Sequence, residues 1–120
     1  MKDNSLILNS IIEGILERKG KEIVNLSFEN TPGAYYDNFV ICHANSNTQV
    51  SAIADNIEKR VKEECKQPVH HREGVGNAYW VLLDYADIIV HIFQKEYRDF
   101  YNLEGLWGDA NIQRIEESFE

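Results

Sequence analysis

Cysteine, basic residues and long apolar runs are all scarce in this sequence. Its two cysteines, Cys42 and Cys65, lie within apolar patterns and predict free, mostly buried thiols instead of a disulfide framework. No apolar run approaches the roughly 20 residues that a membrane-spanning helix needs. The first residues carry one lysine, one acid and no small-residue cleavage site, and we expect a helix there instead of a signal peptide. These features favour a cytoplasmic protein that does not contact a membrane.

Positive charge is especially scarce in the second half of the chain. The sequence carries 12 Lys and Arg against 20 Asp and Glu, a net charge of −8. Residues 1–70 hold eight basic and ten acidic residues (−2), whereas residues 71–120 hold four and ten (−6). Because a basic patch is the footprint of phosphate-backbone binding, we expect little direct contact with nucleic acid. An acidic surface suits a basic protein partner; acids that only keep the protein soluble are an equal alternative.

The first part of the chain predicts two helices and two strands. Apolar residues at helical spacing cover Leu6–Lys19, and the alternation over Glu22–Phe28 is typical of a strand. The continuous apolar run Phe39–Cys42 indicates a strand covered on both faces. Ser46–Gln49 fits a capping box that starts the second helix. Pro68 is expected to end that helix because its ring cannot continue the helical bond ladder.

The second part predicts a hairpin and short helices. Tyr79–Leu83 and Ile88–Phe93 are apolar runs around a four-residue polar break, which indicates a buried β-hairpin. Val69–Arg72 is a weaker strand candidate, and short helices are expected over Lys95–Tyr101 and Leu103–Trp107. The element order predicts a single α/β domain with a five-stranded mixed β-sheet, helices packed on it and short helices at its end.

We place this domain over residues 1–110 and an acidic C-terminal tail over residues 111–120. The tail has a modest helical pattern formed by Ile112, Ile115 and Phe119. The sequence shows no internal repeat and no low-complexity linker.

Histidines and aspartates are the candidate catalytic or metal-binding residues. His70 and His71 are adjacent, so on a strand they point to opposite faces and cannot chelate one ion together. His91 is expected to be a hydrogen-bonded histidine at the edge of an apolar strand face. Asp84 and Asp87 flank the hairpin break, where bonding to turn amides is favoured over a catalytic or metal-binding carboxylate pair. We predict no metal site and no catalytic residue.

Large apolar side chains late in the chain are difficult to bury together. Polar residues interleave with them, which favours an exposed apolar patch rimmed by acids, as in an interface. The alternative is that they fill a core, and we expect that of Phe93 and Phe100. The side chains predicted to stay partly exposed are Trp80, Tyr101, Leu103, Leu106 and Trp107.

Two long motifs carry a family resemblance. The string WVLLDYADIIVHIF (80–93) and the string RDFYNLEGLWGDA (98–110) closely resemble the end motifs of the ribosomal silencing factor, or Iojap-like, family. Earlier strings, DNFVI (37–41) and NSNTQV (45–50), are similar to further family motifs. The resemblance covers roughly residues 5–110.

The resemblance implies a function that needs no chemistry and no cofactor. Members of the family bind the large ribosomal subunit through its ribosomal protein fourteen and block joining of the small subunit, so translation is repressed when nutrients are short. On this basis we expect a partner-binding surface with two parts. Its core would comprise Trp80, Leu82, Asp84, Tyr101, Leu103, Leu106 and Trp107, and its acidic rim Glu104 and Asp109.

Two alternatives to this function remain. The family is similar in fold to nucleotidyltransferases, which need a Gly-Ser motif at a helix start and paired acids on a neighbouring strand. Here the helix start is Ala44-Asn45-Ser46 and the following strands contain no Asp-x-Asp, so Ser46 is better explained as a helix cap and we do not expect an enzyme. The other alternative is self-association, with the aromatic patch buried in a homodimer of the free protein.

Four residues depart from the family pattern. Ala86 replaces a common glycine in the hairpin break, where alanine would be strained if the backbone needs a positive φ. Gln94 and Lys95 replace a common His-Pro, and Gly105 replaces a common basic residue.

Overall fold

The computed structural model describes residues 4–29, 31–108 and 110–116. The helices are α1 (Ser5–Glu17), α2 (Asn47–Cys65), α3 (Lys95–Tyr101) and α4 (Leu103–Leu106). The strands are β1 (Lys21–Ser27), β2 (Asn38–Ala44), β3 (His71–Glu73), β4 (Trp80–Asp84), β5 (Ile88–Gln94) and β6 (Asn111–Arg114). Each helix and strand predicted before residue 111 is present, with bounds that agree or differ by up to three residues.

One mixed sheet organises the molecule, in the order β3-β4-β5-β2-β1-β6. Strands β2 and β5 pair in parallel, as the predicted crossover through α2 requires, and the other neighbours pair antiparallel. The prediction of a single α/β domain with a mixed sheet is confirmed, although the sheet has six strands and not five.

The sixth strand corrects the prediction for the residues after 110. Asn111–Arg114 forms β6, which pairs antiparallel with β1 and places Ile112 opposite Leu26. The helical pattern predicted there is wrong for these four residues, because a free strand edge on β1 determines their conformation more strongly than a weak local periodicity does. Phe119 lies outside the described residues, and the domain boundary at residue 110 stays a prediction.

Helices α1 and α2 cover one face of the sheet and bury its aliphatic side chains. Ile11, Ile15, Ile53 and Ile57 are fully buried between the helices and the strands. The two helices approach closely at Gly14, where an added Cβ would lie 3.2 Å from the Cα of Ile57. This face is therefore sealed by tight helix packing.

The ends of α2 match the predicted capping only in part. The Ser46 hydroxyl accepts a hydrogen bond from the Gln49 amide at 3.1 Å, so its role as a helix cap is confirmed. The Gln49 side chain does not complete the box; it donates to the carbonyls of Arg18 and Lys19, at the end of α1. The helix ends at Cys65 because Lys66 adopts a left-handed φ of 56°, before Pro68 is reached.

Candidate functional site

The sheet face opposite α1 and α2 is covered only in part, by α3 and α4. Along β4 the side chains of Trp80, Leu82 and Asp84 point to this open face and are half-buried, while Val81 and Leu83 point into the helix-covered core. Trp80, Leu82 and Asp84, which the sequence analysis places in one partner-binding core, therefore lie on one face of the strand. Across the strands, Trp80 pairs with Phe93 and Asp84 with Ile89.

Aromatic rings form a continuous array over the open face. The Trp107 ring packs edge-on against Phe28 and Phe39, with centroids 5.2 and 5.9 Å apart. Phe39 in turn contacts His91 at 4.7 Å. On the other side, Trp80 contacts Tyr101 at 4.8 Å and stacks on Phe93 at 4.9 Å. The structure therefore links the two predicted tryptophans through one layer of rings.

Four apolar side chains at the rim of this array are exposed to solvent. Their exposed fractions are 79% for Phe100, 71% for Leu106, 43% for Tyr101 and 40% for Trp107. The prediction that Phe100 fills the core is wrong, because the residue lies on the outer side of a helix that buries only Arg98. Phe93, by contrast, is fully buried as predicted.

Two predicted surface residues have structural partners within the chain. Leu103 is 9% exposed and belongs to the core beneath α4, so it offers little area to a partner. The Glu104 carboxylate forms an ion pair with Arg98 at 3.0 Å and is not a free rim charge. Asp109, the other predicted rim residue, lies outside the described residues. Asp84 is half-buried on the open face. Its carboxylate accepts a hydrogen bond from the Ala86 amide at 2.7 Å, which confirms its role in the turn.

His91 lies in the middle of the open face and is buried. Its Nδ1 accepts a hydrogen bond from the Trp80 indole nitrogen at 3.1 Å, which fixes the orientation of that ring. Burial lowers the pKa of His91 to about 4, so the ring is neutral at neutral pH. Its Nε2 has no partner among the described residues. The predicted hydrogen bond of this histidine is confirmed and holds a tryptophan of the candidate surface in place, whereas its predicted position at an edge is wrong.

Arg98 is a functional candidate that the sequence analysis missed. It is 6% exposed and donates from Nη1 to His43 Nδ1 at 2.9 Å and to the Lys21 carbonyl at 3.3 Å. Its Nε and Nη2 donate to the two carboxylate oxygens of Glu104. An arginine in a short, polar helix gives no sign in the sequence that it points inward, and only its recurrence in the family motif could have drawn attention to it.

A second missed feature is an apolar groove beside Trp107. It has a volume of about 210 Å³, and its walls include Pro32, Tyr35, Tyr36 and Trp107. Tyr35 is 92% exposed. The sequence predicts only a turn here, because Pro and Gly signal chain reversal and say nothing about the tyrosines that follow.

Charge near the open face is mixed, with acids at its β3–β4 end. Glu73 lies opposite Leu82 and is exposed, and the half-buried Asp84 lies opposite His71. Within residues 4–29, 31–108 and 110–116, no three His, Cys, Asp or Glu side chains are grouped so that they could hold a metal ion. No helix among those residues has the length and apolar character to cross a membrane.

Comparison with known proteins agrees with this architecture. The model of the family described as "Ribosomal silencing factor during starvation" matches residues 2–120. The ribosomal silencing factor of Halalkalibacterium halodurans is 38% identical over 113 residues, covering 94% of this chain and 95% of the relative. That of Bacillus subtilis is 41% identical over 100 residues, covering 83% of each.

A solved structure gives the same result for the fold. The X-ray structure of a Chromobacterium violaceum protein superposes with a TM-score of 0.83 at 28% identity, covering 99% of this chain and 95% of that one. The motifs that carry the resemblance therefore occur in a chain whose whole length and fold agree with the same proteins. The chain belongs to the ribosomal silencing factor family.

Proposed function

We propose that this protein acts in the cytoplasm by docking on the large ribosomal subunit through its ribosomal protein fourteen. The docked domain obstructs joining of the small subunit and so represses translation. The observation that carries this proposal is the exposed apolar set Tyr101, Leu106 and Trp107, next to Trp80 and Asp84 on a sheet face that the chain's own helices leave open. We call these five residues the docking surface.

The composition of the docking surface suits a protein interface. Tyrosine and tryptophan dominate binding energy in interfaces because they bury a large area with few rotatable bonds. Trp80, Tyr101 and Trp107 are already supported by neighbouring rings, so docking orders few side chains. A standard interface of about 1,600 Å² in total would be sufficient.

Steric obstruction follows from the size of the domain. Its extents are 36 × 33 × 31 Å. A rigid body of that size, bound at the face where two subunits meet, keeps the opposing surfaces apart without any chemical step. The proposal therefore needs no catalytic residue and no cofactor.

Charge complementarity argues for a basic partner. The half of the chain that contains the docking surface carries a net charge of −6. Opposite charges raise the rate of encounter, and salt weakens that contribution because the Debye length shortens to about 8 Å at physiological ionic strength. Docking is therefore expected to weaken as salt increases.

Co-sedimentation with purified large subunits tests the proposal, and two matched pairs of variants localise the contact. Leu106→Ala should weaken docking at least about tenfold, whereas Leu6→Ala, a similarly exposed leucine on the helix-covered side, should bind as the parent does. Asp84→Asn removes a charge but keeps an oxygen that accepts the turn hydrogen bond; Asp55→Asn is its control on α2. Equal binding by Leu106→Ala and Leu6→Ala would contradict the proposed surface.

A second copy of this chain is the alternative partner for the same apolar patch. Light scattering of the pure protein distinguishes the two. A dimer that persists at assay concentrations and is disrupted by Leu106→Ala, with no binding to large subunits, would replace ribosome docking as the function of this surface.

A further inference from the structure

Arg98 joins three separate elements of the structure from a buried position. Its guanidinium bonds to His43 on β2, to the carbonyl of Lys21 on β1 and to Glu104 on α4. Burial of a cation in the protein interior costs free energy unless the cation is paired and hydrogen-bonded. The three partners satisfy this guanidinium only while α3 and α4 keep their present position on the sheet.

The segment that Arg98 holds has few fully buried residues. Of the seven residues of α3, only Arg98 is buried, and of the four residues of α4, only Leu103. Helices this short are not stable by themselves, because nucleation costs more than one or two turns recover. The position of α3 and α4 therefore depends on Arg98, on the packing of Leu103 and on ring contacts at the edges of the segment. These contacts join Tyr97 to Tyr79, Tyr101 to Trp80 and Trp107 to Phe28.

We propose that Arg98 is the positioning residue of the docking surface. Through its bonds it fixes α3 and α4 so that Tyr101, Leu106 and Trp107 are presented together to the partner. Arg98 is buried, so it does not touch the partner itself. This inference rests on the proposed function for its docking assay, and a second measurement below is independent of that function.

The contact between Arg98 and His43 gives the proposal a distinctive pH dependence. Arginine has no acceptor, so His43 Nδ1 must be unprotonated to receive the bond. Protonation would remove the acceptor and place a second positive charge 2.9 Å from the guanidinium nitrogen. Acidification is therefore expected to release α3 and weaken docking.

Other charged groups around His43 do not reverse this sign. Burial first, and then the positive charge of Arg98, hold the pKa of His43 below its ordinary value. Glu22 on β1, whose carboxylate lies 3.7 Å from Nδ1, and Asp99 on α3 favour the protonated ring, while Lys95 on α3 opposes it. Glu104 on α4 faces this cluster through its ion pair with Arg98.

One variant and one matched control test the positioning role in the sedimentation assay. Arg98→Lys keeps the charge but loses the fork that bonds both Glu104 oxygens, and it should weaken docking about tenfold or more. Lys95→Met removes a cation from the same helix, where it forms an exposed ion pair with Asp99, and should change docking less than about threefold. Parent-like docking by folded Arg98→Lys protein would overturn the proposal.

His43→Asn supplies the readout that a merely structural role would not change. The asparagine oxygen can accept near the position of Nδ1 but cannot be protonated in this range. As the pH falls below about 6.5, the ordinary value below which burial and Arg98 hold the pKa of His43, parent docking should weaken, whereas docking of His43→Asn should not. If the variant shows the same pH dependence as the parent, His43 is not the titrating partner and the proposal fails.

Hydrogen exchange on the isolated protein separates this inference from the proposed function. Backbone amides of residues 95–107 should exchange faster in Arg98→Lys than in the parent, with α2 unchanged. If the parent does not bind large subunits, the proposed function fails and this measurement alone decides the inference. Unchanged exchange over residues 95–107 would overturn it.

Discussion

The two faces of the sheet are buried in different ways. The face under α1 and α2 is sealed by aliphatic side chains such as Ile11, Ile53 and Ile57, which are completely buried. The opposite face combines Phe39, Ile41 and Phe93 with two buried histidines, and its outer layer of rings stays partly exposed. One face therefore supplies stability, and the other combines a smaller core with a surface for recognition.

The buried histidines and the buried arginine follow the same division. His43, His91 and Arg98 are buried on the open-face side, where side chains of β2 and β5 meet α3. Buried groups of this kind cost free energy unless their hydrogen bonds are made. They are therefore placed where they orient neighbouring residues, as His91 orients Trp80, and not where dense packing alone is required.

The largest contrast between the faces is expected from shortening a side chain on each. Ile57→Ala should lower the free energy of unfolding by about 2–5 kcal/mol, because it opens a cavity between α2 and α1. Leu106→Ala should change it by less than about 0.5 kcal/mol, since 71% of that side chain is exposed. Urea denaturation measures both values.

The docking assay should show the reverse order. Folded Ile57→Ala protein is expected to sediment with large subunits as the parent does. Leu106→Ala protein is expected to bind them more weakly. If Ile57→Ala reduced docking as strongly as Leu106→Ala did, the two faces would be coupled and the division of roles would be wrong.

Acidification should destabilise the open-face core. The pKa of His91 is about 4 in the folded protein because of burial, against an ordinary value of 6.5. The unfolded chain therefore takes up the proton first, so this contribution is present above about pH 6.5 and is lost as the pH falls toward 4. At 1.36 kcal/mol for each pKa unit, the loss between pH 7 and pH 5 is about 2 kcal/mol.

Substitution of single histidines identifies the residue that causes this pH dependence of stability. His91→Phe should flatten the change in unfolding free energy between pH 7 and pH 5 by about 2 kcal/mol relative to the parent. His71→Phe, at an exposed position on β3, should leave the change as it is. His43 contributes in the same direction as His91, since its pKa is also lowered. If the unfolding free energy of His91→Phe depended on pH as that of the parent does, His91 would not be buried in its neutral form.

The sequence predicted the covered face better than the open one. Helical spacing from Leu6 and the apolar runs of β2 and β5 are strong, local signals, and they give the helices, the central strands and the sealed core correctly. The exposed Trp107 and Leu106 were also predicted, because polar residues interleave with them. Phe100 was assigned to the core because an aromatic side chain carries no local sign of which side of a short helix it occupies.

Features that depend on distant contacts could not be predicted. Strand β6 exists because β1 has a free edge, and Arg98 is buried because His43, Lys21 and Glu104 come together in the fold. Such pairings join residues as far apart as Val24 and Arg114, 90 positions in the sequence, and neither periodicity nor composition records them. The strain at Ala86 is predictable from the sequence, by contrast, because it depends only on the backbone conformation of one turn.

Ala86 gives the smallest expected effect and tests whether the hairpin can be stabilised without altering either face. Its φ is 71°, a left-handed conformation that costs about 1 kcal/mol for a residue with a Cβ. The turn directs Asp84 to the open face and Tyr85 into the covered core. Ala86→Gly should therefore raise the free energy of unfolding by up to about 1 kcal/mol, measured by urea denaturation.

Ala34→Gly is the matched control, because that alanine is exposed in a loop and does not have a positive φ. It should not stabilise the protein, since glycine there only adds freedom to the unfolded chain. Docking of Ala86→Gly should equal that of the parent if Asp84 keeps its position. A gain in stability accompanied by weaker docking would mean that the strained turn itself holds Asp84 in its binding orientation, and that the strain at Ala86 serves docking.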